Sequence, residues 1–121
     1  MRWLLRRGAR EWRERGLEVE SRGEVWRIPA PAVYEESEEL PPSDVVAVAI
    51  KTTGNRDLSR LLPRALTQPG ATVLMMQNGL GVEEEAMTAA PGHPVLGGLC
   101  FLCSQRVGPA PGTAQRDRHI D

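Results

Sequence analysis

A few residues in this 121-residue sequence have the type and placement to do chemistry. Lys51 is the only lysine beside 14 arginines, and it heads the polar stretch Lys51-Thr52-Thr53-Gly54-Asn55. An ammonium there can meet a phosphate or a substrate carboxylate, or it can be a solvated strand terminus. Asn78, in Gln77-Asn78-Gly79-Leu80-Gly81, carries two donors and an acceptor on a short stem. It can bond a neutral ribose, a substrate hydroxyl or a carboxylate, or it can simply cap the local turn. Arg6 and Arg7 follow the short apolar run Trp3-Leu4-Leu5. If that run is a strand, an arginine there sits where dinucleotide folds accommodate the 2′-phosphate of NADP. The alternative is a basic, solvated helix face.

Three other signals carry less. Gln77–Gly81 looks like a phosphate-binding glycine loop, but G-x-G-x-x-G would need a glycine at position 84, where Glu84 stands. A bound anion would also meet Glu83, Glu84 and Glu85. Like unit charges about 4 Å apart repel by roughly 1 kcal/mol in water and about 4 near a protein surface. Those acids suit a helix N-terminus by themselves, so the phosphate reading is rejected. Cys100 and Cys103 form C-x-x-C inside the apolar, strand-like segment Leu99–Ser104. Positions three apart on a strand face opposite sides, which suits two buried thiols in a reducing cytosol rather than a redox pair. His93 and His119 have no partners at metal-ligand spacing, so no metal site is expected.

The elements that position these residues read as follows. Ala9–Arg15 looks helical and Gly16 is suited to cap it. Leu17–Ser21, the turn Arg22-Gly23 and Glu24–Ile28 give a hairpin signal with one half-buried face. Pro29-Ala30-Pro31 ends it, and Glu35–Pro42 reads as an acidic, solvated connection. Val45–Ile50 is a continuous β-rich apolar run, the mark of a strand covered on both faces. Asp57–Leu66 has leucines at helical spacing, with Pro63 as a kink or a new turn. Ala71–Met76 and Val95–Leu102 read as two further buried strands around a short acidic helix, Val82–Ala90. This alternation predicts right-handed βαβ crossovers in an open α/β sheet. Ligands bind such sheets beyond the carboxyl ends of the strands, where Lys51 and Asn78 both fall. After Cys103 the pattern dissolves into the loop Gly108–Gly112 and a polar tail without periodicity.

Composition sets the outer bounds. Net charge is -1, which gives no basic field for nucleic acid. No apolar stretch is long enough to span a bilayer, so no membrane partner is expected. The Arg-rich start carries Glu11 and Glu14 and no serine before Ser21, unlike a mitochondrial presequence. A cytoplasmic location is expected.

The series Leu4-Leu5-Arg6, Gly16–Ser21, Val48–Thr53, Gln77–Glu84 and Gly97–Phe101 resembles the ketopantoate reductase (2-dehydropantoate 2-reductase) family. Asn78-Gly-Leu-Gly-x-Glu-Glu84 is its most specific piece. The resemblance implies NADPH-dependent reduction of a 2-keto acid, ketopantoate, to pantoate on the path to pantothenate and coenzyme A. It implies an N-terminal Rossmann-like domain followed by a helical one. By resemblance Arg6 would contact the 2′-phosphate of NADP, Lys51 and Asn78 would line the cofactor and substrate cleft, and Cys103 would fall near the nicotinamide end. Position 54 is often Gln in the family and is Gly here. No G-x-G-x-x-G precedes Arg6. The expected fold is therefore an incomplete Rossmann-like open sheet lacking the first βα unit and the C-terminal helical domain. Residues 1–107 would be the partial NADP-binding domain, and 108–121 the start of a connection. No catalytic residue is expected within the chain, and it is not expected to turn over alone. The alternative class is a non-catalytic interaction module pairing through an open sheet edge, with a homodimer as one assembly.

Overall fold

The computed structural model describes residues 1–99 and the backbone of 105–106 and 112–115. Nine strands are described: β1 (Arg2–Leu4), β2 (Leu17–Ser21), β3 (Glu24–Ile28), β4 (Ala32–Tyr34), β5 (Val45–Val48), β6 (Thr72–Met75), β7 (Val95–Gly97), β8 (Gln105–Arg106) and β9 (Gly112–Gln115). The described α-helices are α1 (Ala9–Arg15), α2 (Leu58–Ala65) and α3 (Val82–Ala89). The chain divides into two compact units, Met1–Glu36 with Phe101–Asp121, and Ser37–Cys100.

In the first unit β1 pairs in parallel with β4, from Arg2 opposite Ala32 to Leu4 opposite Tyr34. The run ending at Leu5 is therefore a strand and not a helix turn. Trp12 of α1 meets Trp3 of β1 edge to face, with centroids 5.4 Å apart and planes at 63°. Arg13 ties α1 to β4 by donating to the Val33 carbonyl at 3.1 Å and to Glu35 at 3.0 Å. The hairpin forms as its turn signal predicts, but β3 is exposed throughout, so the expected half-buried face is confined to β2. Arg22 (φ 52°) and Gly23 (φ 80°) supply the two positive φ angles of a type I′ turn. The tail carries more order than its composition suggests: β9 pairs in parallel with β2, and β8 pairs antiparallel with β9.

The second unit holds the sheet β5-β6-β7, parallel throughout, with α2 and α3 as its crossovers. Right-handed crossovers between strands in sequential order place every connecting helix on the same face. The core follows from that: Val48, Val73 and Met75 pack with Leu58, Leu62, Val82 and Ala86, with Val46 and Val95 alongside. The opposite face was expected to be covered as well, and among the described residues it is covered only in part. Val45 is 59% exposed and Leu96 is 56% exposed. A continuous apolar run shows that both faces can be buried, but helix placement decides which face is. β7 is also shorter than the run Val95–Leu102, whose last three residues lie outside the described ones. Pro63 sits inside α2 without ending it.

The acidic connection differs from its expected solvated form at one point. Ser37 is buried at 2% exposure in a single 3-10 turn, and its hydroxyl bonds Glu38 at 3.0 Å. Glu38's own backbone N–H and that hydroxyl hold its carboxyl below the usual range. Leu58 is fully buried under the sheet. Leu58→Ala is expected to cost about 2–5 kcal/mol by leaving a cavity, read by far-ultraviolet circular dichroism in urea.

Candidate functional site

β5 and β6 end side by side. Val45 through Val48 pair with Thr72 through Met75, an offset of 27 residues held along the ladder. Past the strands the two loops stay together: the Gln77 side chain donates to the Ile50 carbonyl at 2.6 Å, and a Cβ on Gly79 would lie 3.8 Å from the Thr52 side chain. Lys51 and Asn78 are the residues between those two contacts, one on each loop. Both side chains are exposed. Among the described residues, neither makes a side-chain hydrogen bond or ion pair.

The capping reading of Asn78 can be checked directly. The N-cap of α3 is Gly81 (φ 79°), and no side chain caps that helix. Gly79 (φ 137°) turns the chain before it, in a conformation that favours glycine. Among the described residues, Asn78 is thus left with its donors and acceptor free. Lys51 stands at the N-cap of a 3-10 turn, Thr52–Asp57, that leads into α2.

Gln77 and Asn78 divide the work of the polar pair. Successive residues of an extended chain point to opposite sides, so Gln77 turns under the 3-10 turn while Asn78 faces out. Gln77 is buried, and its Nε2 donates to the Ile50 carbonyl and also to Asn55 Oδ1 at 2.8 Å. Asn55 in turn donates from Nδ2 to Glu85 of α3 at 2.6 Å. Sequence reading did not single out Gln77, Asn55 or Glu85 as a unit. Their separations of 22 and 30 residues match no local motif.

The three glutamates after Gly81 occupy the end of the sheet where an anion would sit. Glu85 takes the Asn55 amide. Glu84 reaches back until its Oε2 lies 3.6 Å from where a Cβ on Gly81 would be. Glu83 extends to Gly97 at the end of β7, its Oε1 2.6 Å from a Cβ built there. Three carboxylates thus stand in the first turn of α3, where their charge complements the helix dipole. Beside them is a shallow open groove lined by Thr52, Thr53, Asn55, Arg56, Ser59 and Glu85. Its rim offers hydroxyls, the Asn55 amide and one charge of each sign.

The other expected site residues stand apart. Arg6 follows β1 and is exposed, but it belongs to the first unit and is described there by itself. Cys103 lies outside the described residues, as does most of the C-x-x-C segment. His93 is a turn residue as expected, its Nδ1 2.9 Å from the Ala71 carbonyl.

Comparison with known proteins bears on this arrangement. The family model of ketopantoate reductase PanE/ApbA matches residues 1–119. A 2-dehydropantoate 2-reductase of Nostoc sp. (strain PCC 7120) is 43% identical over 106 residues, 88% of this chain and 33% of that protein. The crystal structure of 2-dehydropantoate 2-reductase from Geobacter metallireducens superposes with a TM-score of 0.85 at 35% identity. It covers 94% of this chain and 37% of its own. D-mandelate dehydrogenase in a ternary structure with NADH and anilino(oxo)acetate shares the fold, with a TM-score of 0.69 at 18% identity over 90% of this chain and 34% of that one. The chain spans about a third of the length of these relatives. Its parallel βαβ sheet is that of a partial Rossmann-like domain, and the chain belongs to the ketopantoate reductase PanE/ApbA family.

Proposed function

We propose that this chain forms the cofactor-facing part of an oxidoreductase that reduces ketopantoate to pantoate with NADPH, on the route to pantothenate. The observation that carries the reading is the pair Lys51 and Asn78. Both are free and exposed, side by side beyond the carboxyl ends of two parallel strands. Open α/β sheets take their ligands at that edge.

The residues fit a nicotinamide cofactor in one orientation. NADPH, when bound, supplies the hydride that reduces the keto group. Asn78 can donate to and accept from the neutral ribose or the amide of such a group. Lys51 can hold the carboxylate of a 2-keto acid or a cofactor oxygen. Glu83, Glu84 and Glu85 steer the pyrophosphate away from α3, so only the uncharged end suits this edge. Arg6, exposed at the end of β1, would take the 2′-phosphate that distinguishes NADP from NAD. Cys103 would lie near the nicotinamide end. Both assignments rest on the family resemblance.

The test is an NMR titration of the labelled 121-residue chain with NADPH. Shifts are expected at 51–55 and 77–81, with smaller ones under NADH. Perturbations confined to other segments, or none at millimolar cofactor, would overturn the reading. The 121 residues are expected not to oxidise NADPH with ketopantoate by themselves, because no G-x-G-x-x-G is present to cradle the pyrophosphate. Steady loss of the NADPH absorbance on adding ketopantoate would contradict that.

One observation favours a different class, an interaction module. On the sheet face opposite the helices, Val45 and Leu96 are more than half exposed. A second copy of the chain covering it predicts association that rises with concentration and ignores NADPH. Sedimentation velocity across a concentration series would decide between the two.

A further inference from the structure

The buried amide of Gln77 joins the two loops that carry Lys51 and Asn78. Its backbone precedes Asn78 directly. Its Nε2 holds the carbonyl of Ile50, the residue directly before Lys51. The second Nε2 hydrogen goes to Asn55, four residues beyond Lys51, and Asn55 is anchored to Glu85 on α3. One side chain therefore grips the Lys51 loop on both sides and fastens it to the strand-end loop and to the helix behind. The orientation of the amide is fixed, since turning it over would aim an oxygen at two acceptors. Gln77 Oε1 is buried and, among the described residues, has no partner, so the side chain is turned inward. The side chains it flanks are the exposed ones.

We infer that Gln77 is a positioning residue: the chain Gln77–Asn55–Glu85 sets the spacing of Lys51 and Asn78 and so the affinity for a nicotinamide cofactor. The inference rests on the reading of that pair as the ligand edge. Loop and crevice differ in what they predict, so they can be separated. Fixing a loop in its bound form raises affinity by removing the cost of ordering it. Losing the clamp frees the loop without touching a contact to ligand.

Two variants of the 121-residue chain carry the test. Gln77→Met keeps the length and volume of the side chain and removes both donors. Gln77→Glu keeps the shape and sets an acceptor against two acceptors. The Gly54 amide, which bonds the Lys51 carbonyl at 2.8 Å in the 3-10 turn, reports loop opening. Hydrogen exchange at Gly54 is expected to speed up roughly ten-fold in Gln77→Met and more in Gln77→Glu, while Val73 in the core is unchanged. NADPH binding is expected to weaken about three- to ten-fold in the same variants, with no new shift pattern. Unchanged Gly54 exchange, or equal acceleration at Gly54 and Val73, would overturn the clamp. The exchange arm needs no cofactor. If the wild-type chain gives no shifts at 51–55 and 77–81, the cofactor reading fails while the loop clamp is still decided by exchange. If the wild type binds and both variants bind equally well, the positioning role fails and the cofactor reading stands.

Discussion

Lys51→Met is expected to weaken NADPH binding to the chain by about ten- to a hundred-fold, the range for losing a hydrogen bond to a charged group. The stem is nearly preserved, so the change removes the ammonium and little else. Lys51 is exposed and, among the described residues, unpaired, so no native contact is lost. Stability should stay within about 0.5 kcal/mol of wild type, because Lys51 stands at the N-cap of the 3-10 turn without a side-chain capping bond and lies outside the core. That separation makes the measurement decisive: the melting midpoint holds while the titration collapses. Lys51→Arg should recover only part of the affinity. A guanidinium is a planar fork and does not replace a compact ammonium at a point contact. Asn78→Ala is the companion change. If Lys51 and Asn78 serve one ligand, the double variant should lose less than the two singles added together. Strict additivity would place them at separate tasks.

The parts legible in the sequence are those whose signal is local. Positive φ at Arg22 and Gly23 is a two-residue requirement, and the hairpin came out with the expected bounds. The same holds for α1 and its end at Gly16, and for the βαβ order, where turn residues separate long apolar runs. β4 was missed because Ala32–Tyr34 is three residues long and stands between proline-rich and acidic segments. Its evidence is its parallel partner β1, 30 residues earlier. β8 and β9 were missed likewise, since Gly112–Gln115 has no β-rich composition and owes its strand to pairing with β2. The one misjudged property of the sheet, burial on both faces, depends on which side the crossovers lie. The site divides the same way. Lys51 and Asn78 were legible as polar residues ending apolar runs. The Gln77–Asn55–Glu85 chain exists only once the register of β5 and β6 is known.

Gly16→Ala is the change expected to cost the fold most for its size. Gly16 closes α1 with φ 75° and ψ -168°, a region that is essentially restricted to glycine. Its amide still donates to the Trp12 carbonyl at 2.9 Å, so the residue is a working helix end rather than a slack loop. A Cβ at Gly16 would come within 2.5 Å of the Ile28 carbonyl oxygen and 3.0 Å of two backbone atoms of Pro29. These are main-chain atoms at the end of β3 and cannot rotate away. Strain and overpacking together are expected to destabilise the first unit by roughly 2–5 kcal/mol. All three tryptophans, Trp3, Trp12 and Trp26, belong to that unit, so their fluorescence in urea reports it selectively. Gly23→Ala is the matched control. Gly23 also has positive φ (80°), but nothing lies within 4 Å of the added methyl. It should therefore lose only the backbone term, about 1–2 kcal/mol. Equal losses at the two glycines would show that the close approach of α1's end to β3 contributes nothing. A larger loss at Gly16 ties the helix end to the hairpin that follows it.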